Sequence, residues 1–178
     1  IGSEKLTDLS NSIDLTISGY DKRYRKHSFV FDLGIDYYTS ASSDMIDPHT
    51  ISSASHADVR IYPSLNWTME NEKKGITVGA GISYSSEFDY QSFGVNVNFA
   101  QKTRNKNGEL AAKLQAYIDQ VSLIYPVELR NGSSREGDDY ATTGRNTFSG
   151  GASWSQIINK NLQVLLEGEV VYQQGYLG

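Results

Sequence analysis

Val59-Arg60-Ile61-Tyr62-Pro63-Ser64-Leu65-Asn66-Trp67-Thr68-Met69-Glu70 changes chemistry at almost every step. The odd positions hold Val59, Ile61, Pro63, Leu65, Trp67 and Met69. The even ones, from Asp58 onward, hold Arg60, Ser64, Asn66, Thr68 and Glu70. Successive side chains of a β-strand point to opposite faces, so a period of two describes a strand with one apolar and one polar side. The run is about 11 residues long, roughly twice an ordinary soluble strand. It is the length that a tilted strand needs to cross a bilayer.

The same parity extends in both directions. Leu9, Ile13, Leu15 and Ile17 alternate with Ser10, Ser12, Asp14, Thr16 and Ser18, and Phe29, Phe31, Leu33, Ile35 and Tyr37 with Ser28, Asp32 and Asp36. Downstream, Ile76, Val78, Ala80, Ile82 and Tyr84 form a fourth apolar row, and Phe93, Val95, Val97 and Phe99 a fifth. Phe148, Ala152 and Trp154 mark a seventh, and Leu162, Val164, Leu166, Val170 and Tyr172 an eighth. The sixth segment, 109–121, reads two ways. Leu110, Leu114, Ile118 and Val121 would line one face of a helix built from strong helix formers. Leu110, Ala112, Leu114, Ala116 and Ile118 also alternate, and seven flanking strands favour that reading. The phase shift to Val121, Leu123 and Tyr125 predicts a bulge near Asp119-Gln120.

Composition agrees with an all-β chain. The 178 residues suffice for one domain, 1–178, and include 16 Gly and 12 Tyr but 3 Pro. Without cysteine there is no disulfide framework and no thiolate metal site. No apolar run reaches the roughly 18 residues of a transmembrane helix, but alternation dilutes the apolar residues of a barrel, so a barrel stays open. A net charge of −5 argues against nucleic acid as a partner. The first residue is Ile1, with no leader segment, and 175–178 does not read as a finished terminal strand; a longer parent chain is expected.

Connections alternate between short (21–26, 71–75, 103–108, 159–161) and longer ones (39–57, 130–145), with 86–91 intermediate. Outer-membrane barrels show this asymmetry between their two rims. The short turns and their flanks carry ten basic residues against Asp21 and Glu72, whereas the long connections are acidic on balance. Such a basic rim is either a set of solvated turns or a surface for anionic headgroups or a protein partner. Aromatic residues assigned to the apolar face gather toward both ends: Tyr20, Trp67, Phe99 and Trp154 near the short turns, and Tyr37, Tyr84, Phe93, Phe148 and Tyr172 near the long loops. Two such bands are the girdles of a membrane barrel; in a soluble sandwich they would be core.

If the apolar rows face lipid, the polar rows line an interior. Asp14, Asp32, Asp36, Asp58, Glu70, Asp119, Glu167 and Glu169 would meet only Arg60 and Lys113 there. Unpaired buried carboxylates are costly, so the expected interior is hydrated and favours cations. Val30, Tyr38, Tyr62, Tyr117, Leu165 and Val171 share that face and could pack on a plug or constriction. In the first long loop Asp44, Asp47, His49 and His56 could hold a metal, but their spacing matches no known site pattern and an ordinary hydrophilic loop explains them. His27, His49 and His56 leave a serine hydrolase formally open, yet there is no G-x-S-x-G elbow and no catalytic residue is assigned. Two glycosylation-type triplets, at Asn66 and Asn131, carry no role. The sequence has no phosphate-cradling Gly loop, and no cofactor is expected.

Distinctive words occur in order: Tyr38-Thr39-Ser40-Ala41-Ser42-Ser43-Asp44, Asp58-Val59-Arg60-Ile61-Tyr62-Pro63-Ser64, Glu87-Phe88-Asp89-Tyr90, Pro126-Val127-Glu128-Leu129-Arg130, Ser155-Gln156-Ile157-Ile158-Asn159-Lys160 and Val171-Tyr172-Gln173-Gln174-Gly175. Together they resemble domain-of-unknown-function family 3570, predicted outer-membrane barrel proteins of Gram-negative bacteria. The resemblance implies that location and a larger barrel, but no activity. The expectation is therefore an antiparallel, up-and-down transmembrane β-barrel, or part of one. It would act without catalysis as a channel or transport component, or as a scaffold in an envelope complex, with outer-membrane lipids and other envelope proteins as partners. The alternatives are a soluble extracellular β-sandwich that binds glycans and a barrel hydrolase.

Overall fold

The structure, a computed structural model, describes residues 7–39, 57–88, 90–124 and 140–175. They form eight strands: β1 (Asp8–Tyr20), β2 (Lys26–Thr39), β3 (Ala57–Asn71), β4 (Ile76–Ser86), β5 (Tyr90–Lys102), β6 (Gly108–Ile124), β7 (Tyr140–Asn159) and β8 (Leu162–Gly175). Each pairs antiparallel with the next, in the order β1 to β8, as one up-and-down meander. The sheet is open: β1 and β8 are its two edges and do not pair with each other. All but β4, which has 11 residues, are longer than the roughly 11 expected of a minimal span, reaching 17 in β6 and 20 in β7.

Side-chain oxygens and a few left-handed residues close the short turns. Asp21 Oδ1 accepts from the Arg23 and Arg25 amides at 2.8 and 3.0 Å, and Tyr24 takes φ 57°. Between β5 and β6, Thr103 Oγ1 accepts from the Gly108 amide at 2.9 Å while Lys106 sits at φ 58°. Gly75 supplies φ 64° between β3 and β4, and Asn159 Oδ1 accepts from the Asn161 amide at 2.8 Å. Gly75 adopts its left-handed φ without a Cβ clash, and the Asp21, Thr103 and Asn159 oxygens mimic a backbone turn; Tyr24 and Lys106 hold their conformation within those hydrogen-bonded turns.

The ambiguous sixth segment is a strand. Ladders on both sides, to β5 and β7, override a helical propensity worth only tenths of a kcal/mol per residue. The bulge expected near Asp119-Gln120 is not there: the β5–β6 ladder runs without a shift from Glu109 to Val121, and the β6–β7 ladder from Gly108 to Ile124. A bulge would have disrupted hydrogen bonds on both sides to re-aim a few side chains, so Val121 shares the face of Asp119 instead. The irregularity falls at the end of β7, between Ile157 and Asn159.

Register makes the two faces strictly different. Nine of the ten expected interior charges fall on one face, linked by pairs such as Asp14↔Asp32, Asp36↔Arg60, Asn98↔Lys113 and Gly151↔Glu169, and the tenth position, 58, shares their register. Within the eight strands no Asp, Glu, Lys or Arg occupies the other face. Among the described residues no hydrophobic side chain is buried; Leu114 is 60% exposed and Val170 75%. Along β2 and β5 the polar rows are the more sheltered and the apolar rows the more open. Side chains on the inner side of a curved sheet crowd together and shield one another, so the polar face is the concave one. A gap in the β3–β4 ladder accompanies Pro63: the register is the same on both sides, but Tyr62 and Pro63 are not paired with Ser85 and Tyr84. Proline has no amide proton for the ladder, and a shallow apolar dent of about 200 Å³ lies beside it.

Candidate functional site

The concave face holds a polar cavity of about 460 Å³ toward the ends of the strands that carry the longer connections. Its wall runs from Arg60 on β3 to Gln173 on β8, so six strands contribute. Two charge-paired clusters organise it. In the first, Asp119 accepts from Ser92 Oγ at 2.7 Å and from Arg145 Nε at 2.9 Å, while Arg145 Nη2 donates to Tyr90 Oη at 2.9 Å. Asp119 is 4% exposed, the only buried polar side chain among the described residues. A carboxylate so sheltered would be costly alone; charge-assisted donors on two neighbouring strands offset that cost.

In the second cluster, Arg60 Nε lies 3.2 Å from Glu87 Oε1 and donates to Ser85 Oγ at 3.1 Å. Tyr38 Oη donates to Glu87 Oε2 at 3.3 Å, and the Arg60 guanidinium stands 5.0 Å from the centre of the Tyr62 ring. Tyr62 Oη donates to Asp36 at 3.0 Å, and Ser64 Oγ donates to Asp32 at 2.7 Å. The Tyr62 ring lies flat where a side chain on Gly34 would stand, and Tyr117 covers Gly94 in the same way. These glycines let large side chains lie along the sheet rather than project from it.

The carboxylates still outnumber the cations on this face. Asp14 stands directly across from Asp32, and Glu167 and Glu169 line a second polar cavity of about 400 Å³ with Lys113 as its one cation. Glu70 lies across from Lys26, and Asp58 shares the register of Tyr38. Leaving Asp58 aside and counting Arg145, the strands give this face an excess of four carboxylates; adding Asp8, Glu109, Lys26 and Lys102 at the strand ends leaves it unchanged. Arg145 is the residue that the sequence reading misplaced. It was assigned to a long connection, but β7 begins at Tyr140 and puts it on the concave face. The row Thr147, Ser149, Gly151, Ser153, extended back one step, would have found it.

Aromatic residues occupy the other face in cross-strand pairs: Tyr84 opposite Phe93, Phe148 opposite Tyr172, Trp67 opposite Phe29 and Trp154 opposite Leu166. Phe99 pairs with Val78 and Tyr37 with Val59. Tyr20 departs from the expectation: it sits across from Lys26, in the polar register of Ser18. Even numbering in β1 is polar throughout, and Tyr20 follows it.

At the short-turn end, Trp67 Nε1 donates to His27 Nδ1 at 3.2 Å, and His27 Nε2 lies 3.4 Å from Asp21 Oδ2. Both ring nitrogens are engaged, which leaves neither for activating a serine. The Arg25 amide and guanidinium hold the Asp21 carboxyl well below the usual carboxylate range. His49, His56, Asp44 and Asp47 lie outside the described residues, and among the described residues no three His, Asp or Glu converge on a metal-sized site.

These features define an antiparallel β-meander with a charged concave face and an uncharged apolar back. Residues 35–178 match the family model described as Protein of unknown function (DUF3570), and the chain belongs to that family. No curated protein matches it.

Proposed function

We propose that the eight strands are all or part of an outer-membrane β-barrel that acts without catalysis, as a channel or transport component or as a membrane scaffold. One observation carries the reading: every charged residue of the strands falls in the polar register, whose row is the more sheltered one along β2 and β5, and the back is apolar and uncovered. A soluble sheet buries its apolar face and wets the polar one. Here exposure runs the other way, as it does where acyl chains replace a second protein layer. The 13 residues of β5 support the same conclusion. At about 3.3 Å each and a tilt near 45° they rise roughly 30 Å, one hydrocarbon thickness.

The excess of carboxylates makes the interior favour cations. Purified protein in planar bilayers is expected to conduct with a reversal potential on the cation side, reduced when Asp32, Asp36, Glu167 and Glu169 are changed to their amides. Clear anion selectivity would overturn the interior assignment. Spin labels at Leu33 and Val95 test the medium: they should be accessible to lipid-soluble oxygen, whereas dry immobilised packing would favour the sandwich.

A further inference from the structure

The basic turns are one continuous surface rather than four separate ones. Lys73 Nζ stands 5.1 Å from the Tyr24 ring and joins the first turn to the second. The Lys102 amide donates to the Gly75 carbonyl at 2.7 Å and joins the second to the third. The Ile157 amide donates to the Asn107 carbonyl at 2.7 Å and joins the third to β7, next to Lys160. Lys22, Arg23, Lys26, Lys73, Lys74, Lys102, Arg104, Lys106 and Lys160 are exposed. Among the described residues none of these nine forms an ion pair; Arg25 alone is tied, to Asp21. Glu70, Glu72 and Glu109 are the other carboxylates at this end, so positive charge dominates it. Just inside, on the uncharged face, sit Trp67, Phe99 and Trp154.

We infer that this rim binds the headgroups of anionic phospholipids. The inference rests on the membrane reading above and adds which lipid surrounds this end. The chemistry is that of an interfacial anchor: aromatic rings at headgroup depth, and long basic side chains reaching outward from the apolar belt to phosphate. Unpaired lysines and arginines at a membrane surface attract anionic lipid by a factor of about five each. Several on one contiguous surface therefore recruit a shell of such lipids. The attraction is screened within about 10 Å at 0.1 M salt, so it is salt-sensitive by nature.

The chain supplies its own reporters, because Trp67 and Trp154 are its only 2 tryptophans and both lie at this end. The protein is reconstituted into phosphatidylcholine vesicles containing a minority of phosphatidylglycerol, with bromine on the acyl chains of one lipid at a time. At low salt, bromine on phosphatidylglycerol should quench the tryptophans as though that lipid were enriched roughly fivefold or more over its bulk fraction. The enrichment should collapse toward one at high salt, and in a variant carrying K73Q, K74Q, R104Q and K106Q. Equal quenching by the two lipids per mole, in unmodified protein at low salt, overturns the proposal whether or not the variant folds. Quenching by neither lipid overturns the membrane reading instead, so the two failures are distinct.

Discussion

Arginine placed along the apolar row of β5 measures the medium around it as a function of depth. The strand runs from Tyr90 to Lys102, so Asn96 is its midpoint and Val95 and Val97 flank it on the apolar face. In the proposed membrane setting, with about 3.3 Å of rise per residue and a tilt near 45°, Phe93 and Phe99 would lie roughly 7 Å from the midplane. Gln91 and Gln101 lie roughly 12 Å away, at the edge of an apolar band about 25 Å tall. In this sheet Val95 is 41% and Val97 51% exposed, so little protein packing is lost when either is replaced. Val95→Arg and Val97→Arg should each cost about 2–4 kcal/mol, the cost of a cation at bilayer mid-depth, and Gln91→Arg and Gln101→Arg about 0–1 kcal/mol. Asn96→Arg, on the polar face, serves as the internal control and should also stay below about 1 kcal/mol. Equilibrium unfolding from lipid vesicles, followed by tryptophan fluorescence and by heat-modifiable gel mobility, gives the values. A profile that ignores depth, or a cost at Gln101 equal to that at Val95, would refute the idea that lipid covers this face.

Three further outcomes follow from individual contacts. Arg145→Leu removes the main counter-charge of Asp119; because Arg145 is itself 32% exposed, the expected loss is about 1–3 kcal/mol rather than the larger cost of breaking a fully buried pair. A double-mutant cycle with Asp119→Asn should show strong coupling, and additive effects would contradict the geometry. Gly34→Ala drives a methyl group into the Tyr62 ring and should destabilise by about 1–3 kcal/mol, with most of the loss recovered in Tyr62→Ala. Asp21 has a folded pKa below its ordinary value of 3.8, so its contribution is complete above that value and is lost as pH falls through the lower, folded one. The stability difference between the wild type and Asp21→Asn should accordingly be constant above about pH 5 and shrink as the solution becomes strongly acidic; a difference that changed between pH 6 and 8 would refute this account.

Period-two alternation made the strands legible because it records which side of the backbone each residue faces. Once the long, uniformly phased rows of β2, β3 and β5 are read, antiparallel pairing and the segregation of charge follow. The phase of a strand end was harder to read. Val121 and Tyr20 each interrupt an expected pattern near a rim, where neither lipid nor core dictates polarity and the hydrogen-bonded ladder decides. Arg145 was missed for a related reason: β7 runs past the apolar rows that define its centre, so its early residues read as loop. The pairings Asp119–Arg145 and Arg60–Glu87 join residues 26 and 27 positions apart, and only the register brings them together.

Pro63 gives the sheet a preferred crease. From Ser64↔Ser83 to Asn71↔Ile76 the β3–β4 ladder is continuous, but Tyr62 and Pro63 are not paired with Ser85 and Tyr84, and only Ile61↔Ser86 resumes beyond them in the same register. Fewer hydrogen bonds resist bending there than along the unbroken β2–β3 and β4–β5 ladders, so the bore of any cylinder these strands help to enclose can widen or narrow at that line while those two ladders stay intact. The Ser85 hydroxyl that holds Arg60 lies on this crease, and flexing it would move the Arg60 guanidinium relative to Glu87.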